Sequence, residues 1–425
     1  MISIRSWKMK LVLSITAIII LISLAVIVLP KILASLEKVD INLKEEFVFP
    51  ELTGSFQVGR TTAYLVDKDR PALPGLDGPR EFVVTIFYPA IPEALATPGP
   101  YAEDGLKTAY ALQSLTKRSA DALDLIHAHA YRNAAADPSA GKYPVLLFSP
   151  GGGEQPLFYT ALLEQISSYG YIVVAVPEPF DSPVIPLPDG RVLTSAQAKE
   201  WCELDSVCQK AIKGDETALR QIENTMKDDR AKDMIFTLNS LETINREDPI
   251  LAGTMNLDKV GAFGHSFGGA SAVRIAQLDE RIDIVSILDS DIFLVIPEGS
   301  PPLSIPVIYM SAANIDVTQQ ELEEISNIDA LTTAYLRRNS PHYFINIAGT
   351  THQSFQSDVM LLAPYISIAG QRITINSSDT NPARILDIIA AYNVAFFDQY
   401  LKGIEQPLLS GYSDAYPEIT FTAEQ

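Results

Sequence analysis

A chain of 425 residues, 47% of them apolar, can bury a large core, and its length suits one large α/β domain as well as two or three smaller ones. Its formal charge of −20 argues against a nucleic-acid partner and against electrostatic docking on anionic lipid, and reads as a solubilising surface.

The first predicted element is an uncharged Leu/Ile/Val run over residues 11–29, closed by Pro30 and long enough to cross a hydrocarbon core. Residues 1–10 are then a cytoplasmic tail, 11–30 a single-pass transmembrane anchor, and the remainder extracytoplasmic. Arg5, Lys8 and Lys10 before the span face Lys31, Lys38 and Lys44 after it, so the basic bias is almost even. A cleaved signal peptide and a secreted product form the competing reading, although residues 32–35, Ile-Leu-Ala-Ser, make a poor cleavage site. Residues 31–57 read as a linker, 58–405 as the main domain and 406–425 as a C-terminal tail.

Residues 80–89 alternate apolar and polar and end in proline, which predicts a strand near a sheet edge. Residues 91–105 form a Pro- and Ala-rich loop, and 108–131 are helix-like. That stretch holds His127 and His129, which lack a third metal ligand and read as part of a solvated helix. From residue 143 the pattern changes. Buried strands at 143–148, 171–176, 259–263, 282–288, 305–310 and 342–347 alternate with helices at 159–168, 229–245 and 384–401. The fold class is α/β: a mostly parallel central sheet with helices on both faces.

Between 183 and 227 the rhythm breaks into a polar insertion with helix-like pieces at 196–207 and 216–226, read as a lid over the sheet's carboxyl edge or a surface excursion. It carries Cys202 and Cys208, which suit either a small-loop disulfide or two free thiols, and with no histidine nearby they make no zinc site.

The chemistry concentrates at Gly264-His265-Ser266-Phe267-Gly268-Gly269, between the 259–263 strand and a helix-like 270–276. Strand, sharp turn and helix turn a bare Gly-x-Ser-x-Gly match into a nucleophile elbow, with the helix N-terminus aimed where an oxyanion would form. A serine hydroxyl needs a histidine base held by a carboxylate. Of five histidines, His265 must diverge from Ser266, His127 and His129 precede the core strands, and His342 opens a strand. His352, in a loop after the last strand, fits the chain order Ser, acid, His. Asp289 ends the 282–288 strand on the same edge as Ser266; Asp316 after the next strand and Asp291 are alternatives, and each suits an ordinary turn cap. The oxyanion donors are the N–H of Phe267 and one from the Ser149-Pro150-Gly151-Gly152-Gly153 loop, with Gly152 preferred and Gly151 open.

These residues resemble the plasma-type (type II) platelet-activating factor acetylhydrolases and their bacterial relatives. The likeness runs from about Val58 to Leu401. It takes in Phe87-Tyr88-Pro89, the strand and glycine loop over 144–153, residues 169–173, Arg230, Asp233, the 264–269 elbow, Leu288-Asp289 and His352-Gln353-x-x-Phe355. The resemblance implies an α/β-hydrolase fold, no metal or cofactor, Asp289 rather than Asp316 as the acid, and hydrolysis of short or oxidised acyl chains from phospholipids. The chain departs from it at Ser149-Pro150-Gly151, where Ser-His-Gly is usual, in the 183–227 insertion and in the N-terminal span. The same architecture hosts dienelactone hydrolases, cutinase-like polyesterases and peptidases, and a non-catalytic binding module is a further alternative.

Overall fold

A computed structural model describes residues 40–73, 77–113, 117–290, 303–313, 340–368, 371–372 and 380–424. The apolar run over 11–29, Asp291 and Asp316 lie outside these residues. Among the described residues no helix is long and apolar enough to cross a membrane.

The central sheet contains β1 (Gln57–Pro71), β2 (Pro79–Ile91), β3 (Tyr143–Ser149), β4 (Ile172–Ala175), β5 (Met255–His265), β6 (Ile282–Leu288), β7 (Val307–Ala313), β8 (His342–Ala348) and β9 (Ile419–Glu424). Their spatial order is β1-β2-β4-β3-β5-β6-β7-β8-β9. Tyr131–Arg132 extends the sheet beyond β1 and Ala135–Ala136 pairs with β2, giving eleven strands among the described residues. The six strands from β4 to β8 are parallel. The flanking strands β1, β2 and β9 are antiparallel to their inner neighbours.

Period-2 alternation builds two cores from one strand. Leu146 and Phe148 of β3 pack on the face covered by α1 (Thr160–Ser167) and α4 (Pro382–Phe397). Val145 and Leu147 pack on the opposite face, under α2 (Glu216–Glu247) and α3 (Phe267–Leu278). Burial on both faces is why these strands read as unbroken apolar runs. The chain leaves β3 to make β4 on one side and later returns to make β5 on the other. The loops after β3 and β5 therefore part at the carboxyl edge, the crevice where such sheets hold ligands.

Several expectations change. The 31–57 segment is no free linker where it is described: Ile41, Leu43 and Phe49 are buried in the core and Phe47–Val48 pairs with Ile126–His127. That pairing ends the 108–131 helix early, so His127 lies on a strand. The 406–425 tail supplies β9, because Ile419 and Phe421 find the apolar side of β8 and α4. The true edge partner of the 80–89 strand is β1, so β2 lies inside the sheet. The 227 boundary falls within α2, a continuous 32-residue helix capped by Asp215, whose polar first half disguised its continuity. Cys202 and Cys208 do not form a disulfide, and Cys208 is buried.

Candidate active site

Ser266 sits between β5 and α3 with φ 53 and ψ −124, a left-handed conformation that costs a non-glycine residue of order 1–3 kcal/mol. The turn is tight because α3 starts immediately against the loop that follows β3. A Cβ on Gly264 would lie 2.6 Å from the Ser149 carbonyl oxygen, and one on Gly268 only 2.0 Å from the same atom. Hydrogen lets the helix approach; any larger side chain would push the serine out of place. The Ser266 N–H donates to Leu288 O at 2.9 Å, which ties the turn to the end of β6.

At that strand end stands Asp289, also at positive φ (45). Its Oδ1 accepts the Ala312 N–H at 2.8 Å. Its Oδ2 accepts Nδ1–H of His352 at 2.6 Å, and Nε2 of His352 lies 2.9 Å from Ser266 Oγ. Since Nδ1 carries the proton given to the carboxylate, Nε2 presents its lone pair to the serine hydroxyl. Burial pushes the Asp289 carboxyl up, but the hydrogen bond and charge of His352, the Ala312 N–H and His265 outweigh it and hold the group below the ordinary Asp value. His352 heads a short 3₁₀ turn, His352–Phe355, and remains half-exposed, so the line of three groups opens to the crevice.

Two kinds of backbone N–H group stand where an oxyanion at Ser266 would need donors. Phe267 is the first residue of α3, where backbone N–H groups lack helical partners and the positive dipole end points outward. In the glycine loop, Gly151 N–H is taken by Glu154 Oε2 (3.1 Å) and Tyr159 Oη (3.2 Å), and Gly153 N–H by Asp181 Oδ1 (3.1 Å). Gly152 N–H has no acceptor among the described residues. Of the two expected candidates, the geometry therefore leaves Gly152 available and occupies Gly151.

His265 diverges from Ser266 as its place in the turn demands, and its ring is wholly buried. Its Nε2–H donates to the His352 carbonyl at 3.1 Å, and its Nδ1 lies 2.7 Å from Tyr159 Oη. Tyr159 in turn bonds Glu154, whose other oxygen accepts from Gln356. Burial raises the Glu154 carboxyl, yet His265 and Tyr159 bring it below the usual value. This chain links the glycine loop to the His352 turn. None of it was legible beforehand: Glu154 merely follows three glycines, and Tyr159 meets a partner 106 residues away.

The other expected residues lie elsewhere. His342 is buried in β8. His129 bonds the Phe49 and Pro50 carbonyls, and His127 lies 3.7 Å from Glu46. Among the described residues no group of three His, Cys, Asp or Glu side chains could hold a metal ion. At the start of the insertion, Gln155 Nε2 donates to the Val184 carbonyl, and Ser182 Oγ, just before it, donates to that of Glu154.

A mixed α/β fold with a large central sheet and a Ser-His-Asp line at its carboxyl edge defines a class, and a solved esterase structure shares the fold. The structure is similar to a ferulic acid esterase from Streptomyces cinnamoneus, with a TM-score of 0.68 and 26% identity over 88% of this chain and 99% of that one. The protein is a carboxylic-ester hydrolase. Residues 41–407 match the family described as platelet-activating factor acetylhydrolase, isoform II, and the chain belongs to that family. A probable 1-alkyl-2-acetylglycerophosphocholine esterase of Arthroderma benhamiae is 25% identical over 405 residues, covering 89% of this chain and 95% of that protein. The platelet-activating factor acetylhydrolase of Canis lupus familiaris is 25% identical over 282 residues, 61% of this chain and 57% of its own length.

Proposed function

We propose that the protein is a serine esterase that cleaves short-chain or oxidised phospholipid-type esters through an acyl-enzyme. Ser266 Oγ attacks the ester carbonyl carbon while His352 Nε2 takes its proton. The N–H groups of Phe267 and Gly152 hold the tetrahedral oxyanion. The intermediate collapses, the alkoxide leaves with the proton from Nε2, and water repeats the sequence on the acyl-serine. Asp289 stays ionised and fixes the tautomer and orientation of His352.

The observation that carries this reading is the continuous Oγ–Nε2, Nδ1–Oδ2 line at 2.9 and 2.6 Å. The lipid-type substrate rests on the family and on the named activity of the Arthroderma relative. The ferulic acid esterase neighbour favours a second reading, a soluble aromatic ester. Turnover of short-chain phosphatidylcholine, aryl acetate and methyl ferulate by the wild type and Ser266→Ala separates them. Phosphatidylcholine turnover lost in Ser266→Ala is expected; wild-type activity in that variant ends the serine mechanism, and a preference for ferulate ends the lipid assignment.

The same proposal keeps residues 11–30 as a membrane anchor with an extracytoplasmic catalytic domain that takes in the 40–57 segment and β9. Full-length protein that stays with membranes through alkaline extraction supports it, and release of a shortened chain instead indicates a cleaved signal.

A further inference from the structure

We propose that Arg230, one turn into the buried half of α2, is the positioning residue that presets the oxyanion hole. The inference rests on the catalytic roles assigned above to Ser266, Phe267 and Gly152. Arg230 is only 2% exposed and is paired with Asp181 and, at 3.8 Å, with Glu178. Its guanidinium also grips the glycine loop: one nitrogen donates to the Pro150 carbonyl at 2.8 Å and another to the Gly151 carbonyl at 3.3 Å. Its plane lies over the Phe267 ring, 4.8 Å from the centroid. One cation thus touches both segments that supply the oxyanion donors.

Peptide planarity turns this grip into a direction. The Gly151 carbonyl and the Gly152 N–H belong to one trans peptide unit and point opposite ways. Drawing the carbonyl toward Arg230 aims the N–H away from it. The same holds one unit earlier, where the Pro150 carbonyl faces Arg230 and the Gly151 N–H faces Glu154 and Tyr159. Hydrogen bonding to a carbonyl also polarises the N–H across the peptide and strengthens it as a donor. The Gly151 carbonyl is shared with the Glu154 N–H at 3.2 Å, so a turn assists the arginine. Asp181 completes the frame: its Oδ1 accepts the Gly153 N–H and its Oδ2 pairs with Arg230. The Pro150 and Gly151 carbonyls and the Gly151 and Gly153 N–H groups are therefore held while the Gly152 N–H is left for a ligand.

A fork that spans two successive carbonyls is chemistry an ammonium cannot copy. Three proteins are compared with the wild type on one aryl acetate: Arg230→Met, Arg230→Lys and Ser266→Ala. Melting temperature, kcat, KM and the inhibition constant of a trifluoromethyl ketone that forms a tetrahedral adduct are measured for the wild type and the Arg230 variants, with Ser266→Ala as the turnover control. Loss of one oxyanion donor costs roughly 100- to 1000-fold in kcat, so a donor misaimed but still present should cost about 10- to 100-fold. Arg230→Met is expected to lose kcat by that factor with KM within about threefold and ketone affinity weakened in parallel, and Arg230→Lys to recover part of it. A purely structural arginine would lower the melting temperature and leave kcat and ketone affinity alone in the folded fraction. That result overturns the inference, as does a loss confined to KM. If Arg230→Met does not fold, Arg230→Lys and Asp181→Asn carry the same comparison. Should Ser266→Ala keep wild-type turnover, the proposed function falls; should only the Arg230 variants behave as wild type, this inference alone falls.

Discussion

Replacing Asp289 with asparagine probes the site without changing its shape. In the wild type, Oδ1 accepts the Ala312 N–H at 2.8 Å and Oδ2 accepts the His352 Nδ1–H at 2.6 Å. An asparagine amide has one acceptor and one donor, so it cannot serve both. With its oxygen toward Ala312, its NH₂ faces Nδ1 and forces the proton of His352 onto Nε2. The imidazole then donates to Ser266 and cannot remove its proton. With the amide reversed, two buried donors meet at Ala312, at a cost of about 1–3 kcal/mol. The first orientation disables the base; the second keeps its tautomer but at that cost and without the carboxylate charge that stabilises the imidazolium. The loss expected in kcat is about 10³- to 10⁴-fold, the scale seen when a triad aspartate becomes asparagine in other serine hydrolases, or about 4–5.5 kcal/mol of transition-state stabilisation. The assay is ester turnover by folded Asp289→Asn beside wild type and Asp316→Asn. A folded Asp289→Asn that keeps more than about a tenth of wild-type kcat refutes the tautomer argument, and loss in Asp316→Asn alone transfers the role.

Three further outcomes are expected. Gly268→Ala drives a Cβ to 2.0 Å from the Ser149 carbonyl oxygen, so the backbone must shift; stability should fall by about 3 kcal/mol and labelling of Ser266 by a fluorophosphonate should slow, and an unchanged melting curve would contradict the contact. Tyr159→Phe removes the hydroxyl beside His265 Nδ1, leaving that buried nitrogen unpaired at about 1–3 kcal/mol, to be read by denaturant unfolding. Glu178 is raised chiefly by burial, with Asp233 and Asp181 adding and Arg230, 3.8 Å away, opposing. Its folded state binds a proton that the unfolded chain releases, so its stabilising contribution is complete at low pH and disappears as pH rises through the raised value. The melting temperature of wild type minus that of Glu178→Gln should therefore shrink from about pH 4 to pH 8; a gap that widens instead reverses the sign of the effect.

Local pattern made much of the molecule readable. The apolar runs that became β3 to β8 are buried on both faces, and continuous apolarity is the signature of that burial. The Gly264–Gly269 turn announces itself because close helix approach tolerates only hydrogen at two positions. Asp289 and His352 were legible as residues closing two particular strands, since chain order along a wound sheet sets which loops reach the same edge.

What the order of residues determined, then, is everything with a short-range cause: strands, the sharp turn, and the loops on which the reactive groups ride. Tertiary structure alone decided which distant groups meet. Ser266 and His352 are 86 residues apart and Arg230 and Pro150 80, separations that leave no local trace. The same holds for β9 and for the 40–57 segment, short polar stretches whose few apolar residues acquire meaning only when a half-covered strand or helix stands opposite. Periodicity reports the face an element must bury; the partner that buries it is chosen by the geometry of the whole sheet.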